Sequence, residues 1–132
     1  MTHLRLLSHA LPSQLEKIFS TVVFSQGQPA DLPNRVKILM STWRITNFGK
    51  GLTRSFTFKS FQEAWEFMSI VAAKCKTLNH HPTWTNTYNQ VRIIWTTHKP
   101  EGLSAKDVEM AEFCNQTADK LVRQRKGPTS LG

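Results

Sequence analysis

The segment SFQEAWEFMSIVAAKCKTL, residues 60–78, decides the fold because its apolar residues recur with the spacing of an α-helix. Ser60 and Glu63 form the capping-box pattern that marks a helix N-terminus. Pro82 disfavours a helical backbone at the residue before it, so the helix should end near Leu78. The apolar residues at this helical spacing are Phe61, Ala64, Trp65, Met68, Val71, Ala72 and Cys75.

Two hairpins are predicted, one on each side of this helix. Before it, WRITNF (residues 43–48) and LTRSFTF (residues 52–58) flank a glycine-containing turn, and both are rich in β-branched and aromatic residues. After it, TWTNTY (residues 83–88) and VRIIWTTH (residues 91–98) have a similar composition and are separated by two polar residues. Each pair can form two antiparallel strands.

Further helices are predicted outside the hairpins. Residues 31–40 have the pattern of a short helix, and residues 104–122 predict a closing helix that Ser104 and Asp107 can cap. The order helix, hairpin, helix, hairpin, helix favours a four-stranded antiparallel sheet with helices packed on one face. The predicted fold class is therefore α+β.

The chain should form one domain, because 132 residues can bury one core but cannot house two full domains. Gly27 and Pro29 interrupt the apolar pattern just before the first helix of the domain. We therefore predict an N-terminal extension at residues 1–30, the domain at residues 31–122, and a basic flexible tail at residues 123–132.

The N-terminal extension permits two interpretations. Residues 1–30 contain a single acidic residue, Glu16, among basic residues and serines, a composition that mitochondrial transit peptides share. Residues 13–24 also fit an ordinary amphipathic helix, which is the interpretation we favour. The expected location is the cytoplasm, with import into mitochondria as the alternative.

Composition argues against two classes of partner. The net charge of +8 would favour anionic partners, but the basic residues are scattered along the chain, which argues against direct nucleic-acid binding. No apolar run approaches the ~20 residues of a membrane-spanning helix. Cys75 and Cys114 lie in apolar periodic segments, so we expect reduced thiols in the core.

Histidines are concentrated in one part of the chain, where His80, His81 and His98 make up three of the five. Each has a simple structural explanation, since histidine is common in polar loops and at strand ends. Asp107 stands three residues after Ser104, where a carboxylate caps a helix. Trp84 and its aromatic neighbours suit the packing of strands.

Taken together, these residues resemble the signature of the pterin-4a-carbinolamine dehydratases. The pattern is K-x-x-x-H-H-P starting at Lys76, followed at matching intervals by Tyr88, His98 and Asp107. RSFTFKSFQEAWEFMSIVAA is similar to the family's strand and central helix, and GLSAKDVEMA is similar to the start of its last helix. The resemblance covers about residues 31–122.

The resemblance implies a function and a set of site residues. It implies removal of water from 4a-hydroxytetrahydropterin, giving quinonoid dihydropterin for tetrahydropterin recycling, in a pocket that holds neither a metal nor an organic cofactor. His80, His81 and His98 would be catalytic. Supporting or substrate-binding roles are assigned to Asp107, Pro82, Trp84 and Thr97. Some family members have acids where this chain has Lys76 and Asn79, which puts any acidic contribution in doubt.

Histidine suits this hydro-lyase reaction. Hydroxide is a poor leaving group, so an acid must protonate the departing 4a oxygen while a base takes a proton from the ring system. Imidazole, with an unperturbed pKa of about 6.5, can serve as either at cellular pH. Positioned proton transfer contributes about 10²- to 10⁴-fold to a rate. Which histidine is the acid stays open.

Two other interpretations remain at this point. Three histidines and an aspartate could bind zinc, although the adjacent His80 and His81 lack the i, i+4 spacing that directs two ligands at one ion. The resemblance also includes members that act as dimerisation partners of a transcription factor, a role that would use surface helices. It further implies a homo-oligomer, a dimer through sheet edges or a tetramer through helix packing.

Overall fold

The computed structural model describes residues 12–131 and has an α+β fold, as predicted. Residues 1–11, the start of the segment considered for mitochondrial import, lie outside the described residues. The described helices and strands are α1 (Pro12–Phe19), α2 (Leu32–Leu39), β1 (Arg44–Thr46), β2 (Gly51–Thr57), α3 (Phe61–Leu78), β3 (Thr83–Thr87), β4 (Gln90–His98), β5 (Glu101–Gly102) and α4 (Ala105–Leu131).

All paired strands are antiparallel, in the order β1-β2-β4-β3, with β5 paired to the end of β4. The four predicted strands are present, and β5 is a short fifth strand that the sequence did not predict. It forms because the chain reverses at Lys99 and Pro100, which sets Gly102 opposite Thr97.

One face of the sheet is buried against the helices. Leu52 and Phe56 of β2 and Val91, Ile93 and Trp95 of β4 all point into the core, at no more than 4% exposure. Their immediate neighbours Thr53, Ser55, Arg92 and Ile94 point to the opposite face, as side chains alternate along a strand. Arg54, between Leu52 and Phe56, shares their face and donates to Asn115 of the last helix at 2.6 Å. Within residues 12–131, no helix has the length and hydropathy that a membrane span requires.

Helix α3 begins and ends with local signals in its sequence. At its start, Ser60 Oγ accepts a hydrogen bond from the backbone N–H of Glu63 at 3.1 Å, as the capping-box pattern predicts. At its end, Asn79 adopts a left-handed conformation (φ 54°, ψ 48°), and the N–H of His80 donates to the carbonyl of Cys75 at 3.1 Å. This turn ends the helix and changes the direction of the chain at His80.

Residues 23–25, in the predicted N-terminal extension, are hydrogen-bonded to the domain. The N–H of Val23 donates to the carbonyl of Gly49, and the N–H of Ser25 donates to the carbonyl of Leu103, both at 2.8 Å. Phe24 forms a parallel bridge with Leu103. These backbone groups satisfy one another's hydrogen bonds. The domain boundary at residue 31 stays a prediction.

Helix α4 continues through the residues that the sequence assigned to a tail. It reaches Leu131, and the Arg125 guanidinium binds the Glu63 carboxylate at 2.6 Å. Burial alone would raise the pKa of Glu63, but the Arg125 guanidinium and the Lys59 N–H outweigh it and hold that pKa below its usual value. The start of the predicted tail is thus helical and anchored; its flexibility stays a prediction.

Gly102 should tolerate no side chain. Its φ is +133°, and an added Cβ would lie 2.6 Å from the Ser25 nitrogen. We expect Gly102→Ala to lower the free energy of unfolding by about 3 kcal/mol, since backbone strain and a clash with rigid backbone combine. Gly27→Ala is the matched control, because Gly27 has φ +75° with open space around it. It should cost only about 1 kcal/mol. Equal losses in urea denaturation would contradict this account.

Candidate functional site

An open cleft of about 740 Å³ lies where the end of β4, the start of α4 and the loop after α3 meet. His80, His81 and His98 all line this cleft. The predicted supporting residues Pro82 and Thr97 line it as well. The two adjacent histidines can border one cavity because the left-handed turn at Asn79 curls the loop. The structure therefore brings the three predicted histidines together.

Asp107 stands behind this cleft, completely buried, and its two carboxylate oxygens have different partners. Oδ2 accepts hydrogen bonds from the Ser104 N–H at 2.9 Å and from Thr97 Oγ1 at 2.8 Å. Oδ1 lies 2.5 Å from Nε2 of His80. Oδ2 thus makes the capping bond that the sequence suggested, and Oδ1 contacts one of the predicted histidines. The supporting role of Asp107 in the site stays a prediction.

This contact assigns the two nitrogens of His80. A carboxylate accepts hydrogen bonds, so Nε2 carries a proton and its N–H donates a hydrogen bond to Asp107. Nδ1 of the neutral ring is then left as a proton acceptor, and no other residue of the described chain holds it. A buried carboxylate that fixes the tautomer and orientation of a histidine is a recurrent way to prepare a general base.

Trp95 also holds His80 in place. The indole of Trp95 is fully buried, and the two rings are stacked with centroids 5.9 Å apart and an interplanar angle of 20°. The His80 side chain is 12% exposed to solvent. Sequence analysis predicted Trp95 as a packing residue, and nothing in the pattern of the strand indicated that its ring would lie against an imidazole.

His81 and His98 are more exposed than His80 and face solvent within the cleft. Close to His98, the Glu101 carboxylate binds Lys50 Nζ at 2.9 Å. Lys50, and to a smaller extent His98, lower the pKa of Glu101 below its usual value. The Glu101 carboxylate, opposite His98 in the β4–β5 pairing, is therefore already paired with a lysine.

The N-terminal segment supplies part of the cleft wall, which sequence reasoning missed. Ser25 Oγ donates to the carbonyl of Pro100 at 2.7 Å, and Gln28 Oε1 accepts from the N–H of Ala105 at 2.8 Å. Ser25 and Gln28 both line the cleft. Their placement depends on the bridge between Phe24 and Leu103, for which the sequence carries no local signal.

Trp84, unlike the other predicted site residues, neither lines the cleft nor contacts a cleft histidine in the structure. It lies on β3, half-buried and packed against the core cluster. Alternation along the strand directs its side chain to the helix-covered face, opposite to that of its neighbour Thr83, which does line the cleft. Its assignment to substrate binding remains a prediction without support from this geometry.

The described residues provide neither a reactive thiol nor a set of metal ligands. Cys75 and Cys114 are free and buried, and burial raises the pKa of both thiols, so neither is prepared as a nucleophile. In the part of the chain from residue 12 to residue 131, no group of three or more His, Cys, Asp or Glu side chains is placed to hold a metal ion. The geometry thus offers no support for the zinc hypothesis.

Comparison with known proteins identifies the family. A family model described as Pterin 4 alpha carbinolamine dehydratase matches residues 26–117, more than half of the chain. The chain belongs to the pterin-4-alpha-carbinolamine dehydratase family. The match begins at residue 26 rather than residue 31, so it takes in Gln28 of the cleft wall. This match confirms the family that the histidine motif predicted.

Several bacterial proteins are similar to this chain, and each bears the family name as a provisional assignment. A Rhodospirillum rubrum protein is 50% identical over 70 residues, which cover 53% of this chain and 73% of that protein. A Novosphingobium aromaticivorans protein of the same provisional name is 44% identical over 69 residues, covering 52% and 72% of the two chains.

Solved structures share the fold. The crystal structure of a Brucella melitensis transcriptional coactivator/pterin dehydratase matches with a TM-score of 0.62 and 33% identity, covering 69% of this chain and 96% of that one. A pterin dehydratase-like protein described as a RuBisCO assembly factor in the alpha-carboxysome matches with a TM-score of 0.52 and 20% identity, covering 58% and 89%. The second likeness shows the fold alone.

Proposed function

We propose that this protein is a dehydratase that removes water from a 4a-hydroxytetrahydropterin and gives the quinonoid dihydropterin, in tetrahydropterin recycling. The observation that carries the proposal is the contact of 2.5 Å between His80 Nε2 and the buried Asp107 carboxylate, at a cleft that His81 and His98 also line. Family membership and the provisional names of the relatives support the same reaction.

The reaction needs two proton transfers, and the cleft offers groups for both. One imidazole donates a proton to the 4a oxygen, which leaves as water, while another takes a proton from the ring system whose nitrogen electrons expel that oxygen. In our proposal, one of these two proton transfers is carried out by His80 and the other by His98. Nδ1 of His80 is suited to accept a proton because Asp107 and Trp95 hold the ring from its other sides.

His81 has a separate place in the proposal, where it holds the pterin or shares the acid role. Its side chain lines the cleft next to His80 and is exposed to an incoming ligand. The proposal includes neither a metal nor an organic cofactor, since imidazoles alone can move both protons. Metal analysis of the purified protein, together with activity after chelator treatment, tests this part.

An assay with enzymatically generated substrate tests the proposed reaction. A pterin-dependent hydroxylase supplies 4a-hydroxytetrahydropterin, and the loss of its absorbance is followed with and without this protein. We expect the decay to accelerate in proportion to the protein concentration, with an equal amount of heat-denatured protein as the control. Decay at the spontaneous rate at all concentrations of the folded protein would refute the proposal.

We further propose a homo-oligomer, either a dimer or a tetramer. Strand β3 lies at the edge of the sheet, where unpaired backbone groups favour pairing with another chain. Phe61 and Trp65 on α3 are 44% and 56% exposed and stack on each other with centroids 6.3 Å apart, so they offer an apolar surface for helix packing. Light scattering at several protein concentrations measures the state.

A second candidate function is protein binding without catalysis. The same exposed aromatic pair on α3 favours it, and the Brucella melitensis relative is described as a transcriptional coactivator as well as a pterin dehydratase. Such a role would use the helix surface rather than the histidines. If a His98→Ala variant retains the full biological effect, the binding role is favoured; if the effect is lost together with dehydration, catalysis is favoured.

A further inference from the structure

The titratable side chains that line the cleft are all potential cations. They are His80, His81, His98, Lys99 and Lys106. No aspartate or glutamate of the described chain contributes to the lining. The cleft is therefore a positively charged cavity in a protein whose net charge is already +8.

The acids closest to the cleft do not neutralise these lysines. Asp107 is fully buried behind His80, and its oxygens accept hydrogen bonds from the His80 ring, Thr97 and Ser104. Glu101 is bound to Lys50 at 2.9 Å.

Lys99 and Lys106 have exposed side chains, and neither has a salt-bridge partner in the described part of the chain. Two ammonium groups therefore remain available to a ligand. This excess of unpaired positive charge is more than the proposed reaction requires, since a 4a-hydroxytetrahydropterin ring is uncharged and two imidazoles suffice for its proton transfers.

Both lysines are held at fixed points of the cleft. Lys99 follows His98 at the turn between β4 and β5, and Lys106 lies in the first turn of α4. A lysine ammonium binds phosphate or carboxylate as a point charge with three donors.

We propose that the cleft binds a pterin whose side chain carries an anionic group, a phosphate or a carboxylate, and that Lys99 and Lys106 bind this group. The inference rests on the proposed dehydratase function and narrows its substrate class. The pterin ring lies among the histidines, and the anionic end of its side chain reaches the lysines at the cleft margin.

The experiment compares kcat/KM for three 4a-hydroxytetrahydropterins that differ only in the side chain: neutral, phosphorylated and carboxylate-bearing. We expect at least one anionic substrate to exceed the neutral one by about tenfold, which corresponds to roughly 1.4 kcal/mol. This preference should shrink as ionic strength rises, because salt screens exposed charges. Comparing the phosphorylated substrate with the carboxylate-bearing substrate identifies which anionic group the cleft binds better.

Two double variants make the test specific to the cleft. Lys99→Gln/Lys106→Gln should abolish the preference for the anionic substrate. Lys17→Gln/Lys120→Gln removes the same charge from exposed positions on α1 and α4 that do not line the cleft, and it should retain the preference. Equal preference in both double variants would overturn the proposal, because the effect would then come from net charge alone.

A binding measurement separates this inference from the proposed function. Calorimetric titration with unreactive 7,8-dihydropterins, with and without the side-chain phosphate, needs no turnover. Tighter binding of the phosphorylated compound that is lost in Lys99→Gln/Lys106→Gln supports the lysine site even if dehydration is absent. Turnover of the neutral substrate with equal affinity and rate for neutral and anionic pterins would overturn the inference and leave the dehydratase standing.

Discussion

Replacing His98 with alanine should lower kcat for dehydration by about 10²- to 10⁴-fold, and His80→Ala should have an effect of the same order. Each change removes one of the two imidazoles that we propose to move protons at the cleft, and neither removes a buried hydrophobic side chain. The measurement is the rate of loss of 4a-hydroxytetrahydropterin at saturating concentration, across a range of pH.

Gln90→Ala provides the control for these histidine variants. Gln90 lies at the other end of β4, is exposed and does not line the cleft, so its removal should leave kcat within about twofold of the original. The loss of a general acid and the loss of a general base should remove opposite limbs of the pH profile. Near-normal rates in both His80→Ala and His98→Ala would contradict the proposed division of the proton transfers.

Asp107→Asn should lower kcat by up to about 10⁴-fold, the loss that follows when the aspartate that fixes a histidine tautomer in a catalytic triad is replaced by asparagine. An amide has one oxygen, so it cannot accept from both His80 and the pair formed by Thr97 and Ser104. One buried donor then loses its acceptor, and we expect stability to fall by about 1–3 kcal/mol.

Nuclear magnetic resonance of ¹⁵N-labelled histidine distinguishes this positioning role from a purely structural one. In the unmodified protein the neutral His80 ring should carry its proton on Nε2, and Asp107→Asn should change that tautomer or mix the two. Asp119→Asn, an exposed change on the same helix, should alter neither rate nor tautomer. A folded Asp107→Asn protein with the original kcat would refute the role of this carboxylate.

Elements with local sequence signals were predictable. The apolar period and the capping box of residues 60–78 define α3, and the hairpin segments contain the four main strands. β5 and the packed segment at Phe24 were not predictable. The segment at Phe24 depends on backbone pairing with Leu103, which is distant in the chain. β5 has only two residues, which is too little sequence to show alternation.

The site was predictable as a set of residues but not as a geometry. Spacing from Ser104 predicted the capping bond of Asp107, and the family resemblance predicted that His80 belongs to the same site. Their contact of 2.5 Å depends on the left-handed turn at Asn79, which the sequence indicates only as a helix end. The stacking of Trp95 on His80 depends on how α3 packs over the sheet, so strand periodicity could not show it.

A structure of the protein bound to an unreactive dihydropterin tests most directly whether the histidines act on one ligand. We expect the bicyclic ring to lie in the cleft with His80 and His98 within hydrogen-bond reach of its reacting region, at about 2.6–3.2 Å or through one water. A pterin that binds elsewhere, or that lies in the cleft out of reach of both imidazoles, would contradict the account.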